Sequence, residues 1–150
     1  MSFAIANADP QVPDSGTAPL SIEQDWWPQV FLEKARSVLR LNGTVTNDRL
    51  HEALQNATYS VNDELAVWGE TERVKSPDVF PEGRLTNLYL RAVYFYAKAE
   101  LVERYRDFDT TGAGDRRADD QEGIPDEVRR NMRWAISDIL RKPRSTIEAL

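Results

Sequence analysis

The chain has a net charge of −6 and 150 residues, a length that suits one ordinary domain with its own hydrophobic core. It has no cysteine, which excludes disulfides and thiolate sites, and one histidine, His51, which leaves little room for zinc or Ser-His-Asp chemistry. The acidic balance argues against a surface that neutralises DNA. No apolar run approaches a membrane span, and the first residues lack the basic and apolar regions of a secretory signal, so the chain is expected to be an intracellular product.

Residues 1–21 are small, polar and dotted with Pro10, Pro13 and Pro19. Such a composition buries too little surface to offset its ordering entropy, and predicts a flexible N-terminal arm, either free or ordered on a neighbouring subunit. Trp26 and Trp27 follow, just ahead of Pro28. Adjacent tryptophans point in different directions, so the pair either caps the core or offers one ring to a partner. A first helix is expected over Pro28–Leu41, with Val30, Phe31, Ala35, Val38 and Leu39 inward, and Asn42-Gly43 as its stop.

A second helix is expected from the N-cap Thr46. Its face is Leu50, Ala53, Leu54, Ala57, Val61, Leu65 and Trp68, and Gly69 ends or weakens it. His51 lies one position off that face and reads as a surface residue. Residues Gly69–Gly83 hold two prolines and few apolar residues, and read as a loop.

The longest element is expected to begin at Arg84. Leu85, Leu88, Tyr89, Ala92, Phe95, Tyr96, Ala99 and Val102 recur at helical spacing, and Leu90, Tyr94, Ala97, Leu101 and Tyr105 make an adjoining apolar face. A helix apolar on two faces must be covered by its own chain or by a neighbour. Tyr94 and Leu101 on the second face are therefore candidate subunit contacts, together with Trp26 and Trp27.

Residues Asp107–Asp115 have the spacing of an EF-hand calcium loop, with Asp107 at the first position, but the twelfth position is Ala118 instead of a bidentate glutamate. The stretch reads instead as a helix end and turn, and no metal or cofactor is expected. No phosphate loop, nucleophile elbow or paired acid and base appears, so an enzyme has no support. A short helix over Arg116–Glu122 and a last helix from Pro125 follow. Val128, Met132, Ala135, Ile136, Ile139 and Leu140 form the inner face of the last helix, and Pro143 stops it. Residues 144–150 read as an extended C-terminal tail, with Ile147 and Leu150 as candidate contacts. The expected fold is all-α, with four main helices around a long central helix, divided into an arm (1–21), a helical domain (22–143) and a tail (144–150).

Three stretches, Leu39–Leu54, Leu88–Asp119 and Arg129–Leu150, with the central YRDFDTTG in register, resemble the head completion (GpL-type) family of temperate contractile-tailed phages. The resemblance implies a structural protein without catalytic residues. It implies a ring of self-contacts, dodecameric in the virion neck, on the portal protein, assembled in the host cytoplasm. That ring would retain DNA that passes through without sequence-specific binding, and would dock tail or neck completion proteins. No membrane contact is implied. Two readings stand beside it on the residues alone: a generic α-helical interaction module, and a calcium-binding regulator built on the aspartate loop.

Overall fold

The structure, a computed structural model, describes residues 18–108 and 124–143. The described part is mostly helical. Two short strands, β1 (Ser21–Ile22) and β2 (Val30–Phe31), precede α1 (Leu32–Leu39), α2 (Asn47–Glu64), α3 (Ala66–Lys75), α4 (Arg84–Phe108) and α5 (Ile124–Ile139). Residues 1–17 of the expected arm, the Asp109–Asp115 part of the aspartate loop, the expected short helix at 116–122 and the expected tail 144–150 lie outside the described residues.

The inner end of the arm and the start of the first helix are corrected. Ser21 and Ile22 pair antiparallel with Phe31 and Val30, and the Leu32 amide donates to the Leu20 carbonyl at 3.0 Å. The expected all-α fold therefore carries a small ribbon, and the helix starts at Leu32 instead of Pro28. β-branched Val30 and Ile22 share the ribbon's inner face, at 0% and 3% exposed, and of the two Val30 fits a helical spacing as well. Phe31 and Val38, expected inside, are 51% and 48% exposed. The loop that joins the strands carries Gln24, Asp25, Trp26 and Trp27, so the ribbon serves as a clamp that presents both tryptophans to the core.

The stop of α1 also differs from expectation. Arg40, not Gly43, takes the left-handed conformation (φ 54°), and the Leu41 amide reaches back to the Arg36 carbonyl at 3.1 Å. Asn42 still turns the chain, because its Oδ1 accepts from the Thr44 amide at 2.9 Å. Thr46 caps α2 as expected: its hydroxyl accepts from the Arg49 amide at 3.2 Å.

α2 ends at Glu64 with Leu65 as its C-cap, and a separate helix α3 takes in residues 66–68, expected at the end of the second helix, and 69–75, expected to be loop. Leu65 departs from helical dihedrals only modestly (φ −97°, ψ 8°), and the bonds from Leu65 N to Val61 O and from Gly69 N to Leu65 O persist on either side. Hydrophobic spacing therefore runs through the break without registering it. α3 closes with basic Arg73 and Lys75 in its last turn, where they complement the helix dipole.

α4 is the centre of the molecule. It packs most extensively on α5 and next on α2, with α1 also against it. Gly83, at φ 86°, turns the chain into it, and the Thr86 hydroxyl donates to the Pro81 carbonyl at 2.7 Å. The inner face of α5 is the expected one: Val128, Met132, Ala135, Ile136 and Ile139 are buried, with Leu140 packed against the core. Its end is closed by Arg141 in the left-handed region (φ 55°) and by the Lys142 amide donating to the Ser137 carbonyl at 2.9 Å.

Candidate interaction surfaces

Trp26 is spent inside the chain. It is 4% exposed, sits edge-on to Trp27 with ring centres 5.1 Å apart, and donates its indole N–H to the Ser76 carbonyl at 2.8 Å. The Arg73 guanidinium lies over the same ring and also pairs with Asp25. Trp27 stacks on Tyr89 (5.4 Å, 22°) and meets Phe80 and Trp68. One edge of Trp27 reaches a shallow cleft that Asn62, Ala66, Gly69 and Glu70 complete. The aromatic cluster is thus a core cap first, with one half-buried ring left at the surface.

Beneath it lies a closed polar triangle. The Tyr89 hydroxyl donates to Asn62 Oδ1 (2.6 Å), Asn62 Nδ2 donates to Gln24 Oε1 (2.8 Å), and Gln24 Nε2 donates to the Tyr89 hydroxyl oxygen (3.0 Å) and to the Pro28 carbonyl (2.7 Å). Burial pushes the Tyr89 phenol well above its ordinary pKa, while hydrogen bonds from Gln24 and to Asn62 pull the other way. These groups tie the ribbon loop, α2 and α4 together. They offer no reactive group at neutral pH.

Tyr94 and Leu101 are 5% and 4% exposed in the single chain. Tyr94, Ala97 and Leu101 of the second apolar face therefore have their cover within the molecule. Burial also raises the Tyr94 phenol. Of the other candidate contacts, Ile147 and Leu150 lie outside the described residues.

Sequence reasoning missed Trp134. It stands on α5 off the inner face, half-exposed, with the Arg130 guanidinium 5.2 Å from its ring centre. It lines two open clefts. One, of about 520 Å³, is completed by Glu64, Asp126, Arg129 and Arg133. The other includes Arg91, Phe95 and Asn131. Arg129 is held by Glu103 of α4, which keeps its guanidinium firmly charged. A tryptophan flanked by arginines one turn apart, outside the apolar stripe, was the signal available in the sequence. Mixed charge around an open, half-apolar hollow is suited to contact with a protein surface.

Several large apolar side chains stand in solvent: Val67 at 80% and Val74 at 83% on α3, Leu20 at 70% beside the ribbon, and Phe31 and Val38 along α1. Among the described residues, no group of three His, Cys, Asp or Glu side chains converges to hold a metal ion. No helix among them is long and apolar enough to cross a membrane. α4 runs through Asp107, so the first position of the calcium-like spacing is helical.

A family model described as phage head completion protein (GPL) matches residues 22–150. The head completion/stabilization protein of Escherichia phage P2 is 32% identical over 145 residues, covering 91% of this chain and 86% of that protein. No solved structure matches the chain.

Proposed function

The chain belongs to the phage head completion protein (GPL) family, whose members are structural virion proteins and not enzymes, and from that premise we propose that it completes the DNA-filled head as a ring on the portal. The ring retains packaged DNA and gives tail or neck completion proteins a surface to dock on. The observation that carries this reading is the reach of the family match, which begins at Ile22 in β1 and takes in every helix of the structure. The architecture supports it: Tyr94 and Leu101 of α4 are buried in the single chain, while large apolar side chains stand exposed along α1 and α3.

In this reading the subunits repeat around the neck, with twelve copies matching a dodecameric portal. The excess negative charge of the chain keeps DNA mobile in the channel, because carboxylates repel phosphate where lysines would grip it. Trp27 and the tail 144–150, which includes Ile147 and Leu150, are the proposed contacts with portal or neck. The decisive experiment is a phage in which this gene is silenced. DNA-filled heads that leak their DNA and fail to accept tails are expected. Normal yields of tailed, DNA-filled particles overturn the proposal. Removal of residues 144–150 tests the tail separately, and unchanged particle yields would end its role.

A further inference from the structure

Two exposed stripes, one on α3 and one that runs from the end of β2 along α1, oppose each other in charge. On α3, Val67 and Val74 are seven residues apart, with Glu70 between them, all exposed. Along α1, Phe31 and Val38 are seven residues apart, with Lys34 between them, all exposed. Seven residues within a helix are two turns, so Val67 and Val74 stand about 10.5 Å apart on one side of α3. Phe31 is the extended last residue of β2 and the N-cap of α1, so the second stripe runs from the ribbon end onto the solvent side of α1. In both stripes the charged residue stands at the third position from the first apolar one. Leu20, joined by its carbonyl to the amide of Leu32, widens the α1 stripe with a further exposed apolar side chain.

Among the described residues, neither stripe is covered by its own chain. Leu32, Ala35 and Leu39 turn the other side of α1 into the core. Leu65 and Gly69 do the same for α3. Both helices pack on α2.

We propose that the Val67–Glu70–Val74 stripe of one copy docks on the Phe31–Lys34–Val38 stripe of the next. The occupant is a second copy because the two stripes are complementary within one sequence: each pairs exposed apolar side chains with the charge opposite to the other's, Lys34 on one and Glu70 on the other. Two unlike patches on one subunit make a head-to-tail contact, which repeats around a ring when the rotation closes. The inference rests on the ring reading above and names the surfaces that build it. The Glu70–Lys34 pair sets register, and the four apolar side chains lose their water.

The absence of cysteine makes the contact open to cross-linking at chosen positions. Phage carrying Val38→Cys with Val74→Cys tests a parallel register, and Val38→Cys with Val67→Cys an antiparallel one. A short bis-maleimide applied to purified virions should give a ladder of covalent multimers from one of these pairs. Each single-cysteine variant should give none. Virions whose neck reconstruction shows a ring of this chain, but whose double variants give no ladder, overturn the stripe contact and leave the ring standing. A neck without such a ring overturns both. Cross-linking of these cysteines to portal or neck protein instead also overturns the contact. In parallel, Lys34→Glu and Glu70→Lys should each lower the yield of DNA-filled particles several-fold, and the double exchange should restore it. With folding verified by circular dichroism, failure of the double variant to recover overturns the pairing.

Discussion

Gly69 lies in the interior of α3, where a glycine weakens a helix by about 1 kcal/mol relative to alanine. A Cβ at this position would meet the Trp27 ring at 2.8 Å, and that ring is fixed by Tyr89, Phe80, Trp26 and Trp68. Overpacking of this kind costs about 1–3 kcal/mol, so the clash outweighs the propensity gain. Gly69→Ala is expected to lower the urea midpoint with an unchanged m-value. Tyr89 makes a second prediction. Tyr89→Phe leaves Asn62 Oδ1 without its donor and should cost about 1–3 kcal/mol at neutral pH. The phenol's folded pKa is raised above its unfolded value, so its contribution is complete below about pH 10 and is lost as pH rises through the range in which the unfolded tyrosine ionises first. Urea titrations at pH 9 and pH 11 should show the wild type losing more stability than Tyr89→Phe over that interval. Equal losses would mean that Tyr89 ionises alike in both states.

α5 shows which of its two kinds of contact with α4 carries the energy. Ile139 is 2% exposed, and its truncation to alanine should cost about 2–5 kcal/mol in denaturant unfolding. The Arg129–Glu103 pair leaves its side chains 42% and 45% exposed, so solvent screens it and Arg129→Ala should cost less than about 1 kcal/mol, with a smaller difference in high salt. The apolar face of α5 was legible in the sequence because five of its positions follow a strict helical period and are not shared with another element. The N-cap at Thr46 was legible for a similar reason, being a local hydrogen bond between residues three apart. Elements whose existence depends on distant contacts were not. The ribbon needs Ile22 and Val30 to meet across a loop, and Val30 with Phe31 fits a helix pattern equally well when read alone. α3 was hidden because its inward side is carried by Gly69 and the half-buried Trp68 alone, too few apolar positions to show a helical period. On the second face of α4, Tyr94 and Leu101 are buried in the single chain, a cover that hydrophobic spacing alone cannot assign to the chain itself or to a neighbour.

At the scale of the whole molecule, a net charge of −6 sets the sign of salt dependence for any self-association. Two such subunits in contact have centres roughly 30 Å apart, from the radius expected for a domain of this length. Treated as point charges in water at that separation, they repel by about 5 kcal/mol without screening. At about 10 mM ionic strength the Debye length is roughly the same as the separation, and about 2 kcal/mol of repulsion remains. Near 0.15 M the Debye length falls to about 8 Å and the repulsion all but vanishes. Against this, one exposed Lys34–Glu70 pair contributes less than about 1 kcal/mol and is screened over the same range. The apolar residues of the two stripes hold their contribution throughout. The repulsive effect is the larger, so association should tighten with salt, by about tenfold between 10 mM and 0.15 M, since 1.4 kcal/mol is a factor of ten. Light scattering or sedimentation of the purified chain across that range checks the sign. Association that weakens with salt would instead assign the contact to charge pairs, with the arginines around Trp134 as the cations to substitute first.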